Sequence, residues 1–167
     1  MAPLSIGEVV IRNAVDDALQ AAHGARWPWA PSFFYSLSSQ GRPILIEARR
    51  GHSTTGSVIA ELSFGFWENM FKASHDAALW NLHLFRVFPG LPGSMTVQQA
   101  RAHIRGELKK IRNLRNRIAH HEPLLATAVL THLQSLHDLV RLRCADTAAW
   151  LIQAHDFSQI LADRPRG

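Results

Sequence analysis

The chain has 167 residues, 47% hydrophobic and 19% charged, which is the composition of one globular domain and not of a disordered segment. Its 18 Lys and Arg exceed its 13 Asp and Glu by five, and the single cysteine, Cys144, excludes an intrachain disulfide and a cysteine-rich zinc site. No run of about 18 apolar residues occurs, and Glu8 and Arg12 interrupt the N-terminus before a secretory signal could build, so a soluble cytoplasmic protein is expected.

Turn and breaker residues gather at 23–32, 41–57 and 88–96 and at Pro123, and the segments between them have helical apolar spacing. The first helix is expected from Ser5 or Ile6 to Ala22, burying Ile6, Val9, Val10, Ala14 and Leu19. A second, over 55–72, follows Thr54 and Thr55, and a third, over 74–86, starts at Ser74. Thr96 caps a long helix that runs to about His121, where Pro123 stops it. Helices over 126–143 and from Asp146 to Ala154 complete the series, and the tail from Asp163 to Gly167 is expected to fray. Pro43-Ile44-Leu45-Ile46 could form a strand, but one strand makes no sheet. The expectation is a single all-α domain over 1–167, an antiparallel bundle of five or six helices with short connections.

Charge is concentrated in one of these helices. Arg101, Arg105, Lys109, Lys110, Arg112, Arg115 and Arg117 face a single acid, Glu107, so this segment carries net +6 and the rest of the chain is nearly neutral. At about 100° per residue, Ile104, Leu108, Ile111, Leu114 and Ile118 share the core side. Arg101, Arg105, Lys109, Arg112, Asn116 and His120 form a basic strip elsewhere on the helix. Such a strip is either a solvated face with cations at the helix's negative end or a surface for an anionic partner, of which nucleic acid is the commonest. Arg115 projects towards the edge of the apolar side, where a guanidinium needs a partner or a crevice. The 15 arginines against 3 lysines fit phosphate recognition and also an alanine-rich composition, and both readings stay open.

The run from Ile111 to Pro123, with Arg115-Asn116, three residues and then His120, resembles the signature of the Abi-like branch of the HEPN superfamily. That signature is Arg, a polar residue, a short spacer and His, and His121 also falls within the permitted spacing, so the active histidine stays open between the two. Ala60-Glu61-Leu62-Ser63-Phe64-Gly65-Phe66-Trp67, Leu79-Trp80 and Phe88-Pro89 are similar to segments that precede the motif helix in Abi-like proteins. The resemblance covers residues 58–123 best and implies a HEPN-like helical bundle that dimerises with its motif helices close together, forming a composite cleft across the dimer axis. It implies a metal-independent, cofactor-free endoribonuclease acting in phage defence or as a toxin, with Arg115, Asn116, His120 and His121 as catalytic residues. Arg105, Lys109, Arg112 and Arg117 would hold the RNA backbone, and an antitoxin is a further partner that the family admits. Some members are instead non-catalytic RNA-binding or protein-interaction modules. Where members controlled by nucleotidyltransferase antitoxins often carry a Tyr, this chain has Glu122-Pro123.

Other constellations are weaker. No two histidines stand at i,i+3 or i,i+4, and the His103–Glu107 pair supplies only two ligands, so no metal site is expected. His75-Asp76 reads as a helix start, and Cys144, after Arg141 and Arg143, as an inert thiol. Trp67 and Trp80 are expected in the core. Trp27-Pro28-Trp29 and Phe33-Phe34-Tyr35 form an aromatic group that either stacks unpaired bases or, more commonly, seals a bundle end or a dimer face.

Overall fold

The N-terminal helix is α1, Ala2–His23, in a computed structural model that describes residues 2–120 and 126–154. Of the side chains expected inside, Ala14 and Leu19 are buried, Ile6 and Val10 partly so, and Val9 is exposed. Every regular element among the described residues is helical. A 3-10 turn at Trp27–Trp29 leads to α2, Pro31–Ser36, and α3, Gly41–Arg49, follows. Next come α4, Thr55–Glu61, and α5, Phe64–Asn69. A 3-10 turn at Ala73–His75 and a π-helical turn at Asp76–Trp80 run into α6, Asn81–Val87. The long α7, Val97–Ala119, is followed by α8, Ala126–Arg143, and α9, Ala145–Ala154.

The punctuated region is more helical than its prolines and glycines suggest. Pro31 opens α2 and Pro43 lies in the first turn of α3, where a missing N–H costs nothing. Residues 43–46 are therefore helix and not strand, with Leu45 and Ala48 buried. The helix expected over 55–72 divides at Leu62-Ser63 into α4 and α5. The one expected from Ser74 is composite, its first two turns 3-10 and π, and Ser74 makes no capping bond. Thr54 does cap α4, accepting from the Ser57 N–H. Thr96 and Gln99 form a reciprocal capping box at the start of α7.

The core is built by α1, α5, α6, α7 and α8 around the fully buried Trp27, Trp67, Trp80, Phe33, Phe71 and Phe88. Each buried indole N–H has an acceptor: Trp27 donates to Asp16 Oδ1 at 2.7 Å, Trp67 to the Leu62 carbonyl at 3.2 Å and Trp80 to the Met70 carbonyl at 2.7 Å. Phe71 stacks on Trp80 with ring centroids 4.6 Å apart. These bonds let large rings be buried without stranding a polar group.

α7 and α8 run antiparallel, with His103 and Glu107 near Asp138 and Ser135 and Lys110 near Thr131. α1 lies beside α8 in the same sense: Gly7 meets Leu136 and Asp17 pairs with Arg143. Gly7 allows the close approach, because a Cβ there would overlap the buried Leu136 side chain. The turn at 88–91 is fastened to the end of α8, with the Gly90 N–H donating to the Leu142 carbonyl at 2.9 Å and Arg143 to the Val87 carbonyl at 2.9 Å. Among the described residues no helix is long and apolar enough to cross a membrane. The expected fraying of Asp163–Gly167 lies outside the described residues.

Candidate functional site

α7 carries the motif, and its setting follows from its sequence. Ala100, Ile104, Leu108, Ile111 and Leu114 are buried along one face, as the period requires, which turns the cations outward or onto the seams with neighbouring helices. The seams take some of them. Arg101 is nearly buried, with Nε 2.7 Å from Asp76 Oδ1 and Nη1 donating to the Phe71 carbonyl at 3.1 Å. Arg112 Nη1 lies 2.6 Å from Oε2 of Glu68, a residue of α5 that is only 1% exposed.

Arg112, expected on the RNA backbone, is therefore held by a buried carboxylate, although 39% of its side chain still meets solvent. The signal in the sequence was Glu68 itself, an acid that follows the apolar run Phe64-Gly65-Phe66-Trp67, although Lys72 at i+4 offers a nearer cation in the chain. Of the other expected backbone contacts, Lys109 is exposed, while Arg105 and Arg117 are partly buried. The Arg105 Nε has no hydrogen-bond acceptor among the described residues.

Arg115, Asn116 and His120 are all exposed at the C-terminal end of α7. Arg115 is not buried at the edge of the apolar side: its side chain is half exposed, and Nε lies a loose 3.9 Å from Glu8 Oε2 on α1. His120 ends the helix, its N–H donating to the Asn116 carbonyl at 2.9 Å. Asn116 and His120 stand about 40° apart around the axis and Arg115 and His120 about 140° apart, taking 100° per residue. The fold thus brings the amide and the imidazole onto one face and turns the guanidinium towards α1. The other histidine of the expected set, His121, lies outside the described residues, as do Glu122 and Pro123.

The face of α7 opposite this strip meets α8 across a polar cleft of about 570 Å³ lined by His103, Glu107, Lys110, Gln134, Ser135 and Asp138. Burial pushes the Glu107 carboxyl up. Hydrogen bonds from Lys110 and Ser135, with the charges of Lys110 and His103, outweigh it and hold the group below its ordinary value. Glu107 is thus a helix-pairing acceptor for Lys110, 2.7 Å away, and for α8. No group of three or more His, Cys, Asp or Glu able to hold a metal occurs among the described residues.

Cys144 sits at the start of α9, and its thiol pKa is lowered by hydrogen bonds to the Thr147 side chain and backbone. The neighbouring Arg143 is engaged elsewhere, with Asp17 and the Val87 carbonyl.

The aromatic group divides in two. Trp27 and Phe33 go inward and seal the core, in edge-to-face contact at 5.0 Å. Trp29, Phe34 and Tyr35 stay at the surface. No family model, curated protein or solved structure matches the chain.

Proposed function

We propose that the chain is a metal-independent endoribonuclease of the HEPN type, active as a homodimer in the cytoplasm, in phage defence or as a toxin. The observation that supports it is the exposure of Arg115, Asn116 and His120 together at one end of the basic helix α7. The imidazole of His120, or of His121, takes the proton of a ribose 2′-OH, whose oxygen attacks the adjacent phosphorus. Arg115 stabilises the charge that builds on the phosphorane oxygens, and Asn116 orients the imidazole or the phosphate. The bond to the 5′-oxygen breaks and that oxygen gains a proton, leaving a 2′,3′-cyclic phosphate and a 5′-hydroxyl. A second imidazole serves as that acid most simply if it comes from a second copy of the chain. The angular offset between Arg115 and His120 favours the same arrangement, since one copy's Arg115 then complements the other's His120.

The test is RNA cleavage in EDTA by wild type, Arg115→Ala, His120→Ala and His121→Ala, with the ends of the products identified. Loss of about 100-fold or more in Arg115→Ala and in one histidine variant is expected, the scale of general acid–base catalysis. Unchanged cleavage in all three would sink the mechanism. The offset of Arg115 also favours a second reading, a non-catalytic RNA-binding module, because a chain that never pairs does not converge the three groups. Salt-sensitive RNA binding with no cleavage by wild type would establish it.

A further inference from the structure

A second cationic surface lies away from α7, on the turn at Trp27–Trp29 and on α2 and α3. Three rings of the aromatic group reach it: Trp29 and Phe34 partly exposed, and Tyr35 exposed to 71%. Arginines lie over all three. The Arg26 guanidinium is 4.8 Å from the Trp29 ring centre, Arg49 is 5.3 Å from Phe34, and Arg42 is 5.8 Å from both Phe34 and Tyr35. Arg42, Ile46 and Arg49 are spaced i, i+4, i+7 and so share one side of α3, whereas Glu47 pairs with Arg50 on another. Between rings and arginines opens a cleft of about 260 Å³ lined by Trp29, Pro31, Phe34, Tyr35, Ile46 and Arg49, with no acid among them.

The polar chemistry of this surface is incomplete. Nε and Nη2 of Arg49 and Nε of Arg42 are shielded from solvent without a hydrogen-bond acceptor among the described residues, so an incoming phosphate would meet the remaining guanidinium nitrogens. Arg42 Nη2 donates a long bond, 3.3 Å, to the Tyr35 carbonyl. Flat apolar faces beside guanidinium charges, all of one sign, are complementary to unpaired bases joined by phosphates. A second copy of the chain suits the surface poorly, because a two-fold contact would set these arginines against their own copies.

We propose that this surface is a stacking platform for single-stranded nucleic acid, with a base on Tyr35 at the cleft and phosphates on Arg42 and Arg49. The platform extends the RNA reading of α7 and rests on it for the choice of polymer. It would hold the unpaired part of a substrate strand while α7 acts on another part.

Binding is separated from cleavage by using a fluorescent 2′-O-methyl oligouridylate, which has no free 2′-OH, in anisotropy titrations at fixed salt. Tyr35→Ala, at an exposed position that leaves the core intact, is expected to weaken binding about 5- to 150-fold, the loss of one stacked base. Arg42→Gln and Arg49→Gln should each weaken it and make its salt dependence shallower. Wild-type affinity in all three variants overturns the platform, and so does a preference for duplex over single strand. Displacement of the oligonucleotide by polyglutamate equally from wild type and Tyr35→Ala would mean an acidic-peptide surface and overturns it too. If Tyr35→Ala binds normally while His120→Ala abolishes cleavage, the platform fails and the ribonuclease reading stands. Loss of binding in Tyr35→Ala, with no cleavage by any form of the protein, supports the platform and overturns the ribonuclease reading alone.

Discussion

Arg112→Ala is expected to act on stability first, because it strands the Glu68 carboxylate. Glu68 is 1% exposed and its Oε2 meets Arg112 Nη1 at 2.6 Å. Two unit charges about 4 Å apart attract by about 4 kcal/mol at an effective dielectric of about 20. Removing one partner of a fully buried pair typically costs about 3–5 kcal/mol, since the other charge stays desolvated. Arg112 keeps 39% of its side chain in solvent, so water screens the pair and the loss falls at or just below the low end of that range. A loss of about 2–3 kcal/mol follows, which for a chain of this size lowers Tm by about 5–10 °C.

The assay is urea unfolding followed by far-UV circular dichroism on Arg112→Ala, Glu68→Gln and the double variant, with RNA affinity measured on the same proteins. The double variant should lose less than the sum of the singles, by about 1 kcal/mol or more, because neither charge is left alone. A loss under about 0.5 kcal/mol in Arg112→Ala, within the range of ordinary surface changes, would refute the reasoning. Reduced RNA affinity at unchanged stability would return Arg112 to the backbone-contact role that the basic strip suggests.

Two further outcomes test the packing and the titration. A Cβ added at Gly90 would stand 3.0 Å from the Arg141 carbonyl oxygen and 3.0 Å from the Leu142 Cα, both backbone atoms that cannot swing aside. Gly90→Ala should therefore destabilise by about 1–3 kcal/mol in urea unfolding, and wild-type stability would show that the turn and the end of α8 part easily. Burial, helped by the Lys72 charge and opposed by Asp76, pushes the His75 pKa below its ordinary value, so the unfolded chain binds its proton first as pH falls. His75 is thus expected to contribute no pH dependence well above pH ~6.5 and a loss of stability below it, with a slope of up to about 1.4 kcal/mol per pH unit. His75→Asn should flatten the urea midpoint between pH ~7.5 and ~5, and an undiminished slope would exclude His75 as the source.

The long elements were legible because each carries several turns of apolar period and, for α7, a capping signal in Thr96 and Gln99. The short ones were not. α2, α4 and α5 have six or seven residues each, and helices of that length owe their existence to burial of Phe33, Val58, Phe66 and Trp67 by distant parts of the chain. Pro31 and Pro43 then read as breakers when they are helix starts. Arg115, Asn116 and His120 could be placed at one helix end from the sequence because they lie within six residues of one long helix. What could not be read was the destination of Arg101 and Arg112, since Asp76 and Glu68 approach them only through the tertiary fold. The same limit hid the arginines over Trp29, Phe34 and Tyr35, which come from the loop before the turn and from α3.

Those two ion pairs also explain why the motif residues emerge where they do. Arg101 and Arg112 are eleven residues apart, so they return to within about 20° of one another around α7. Asp76 and Glu68 therefore hold the helix on one side at two heights, and its rotation is fixed as well as its position. Continuing from Arg112, Asn116 and His120 lie about 40° and 80° further round, just beyond the α5 contact and exposed. Arg115 lies about 60° the other way, towards Glu8 on α1. A helix without the two acids could roll and bury either group at a seam. With them, two of its seven cations are held in ion pairs with Asp76 and Glu68, and the amide and imidazole at its far end stay exposed.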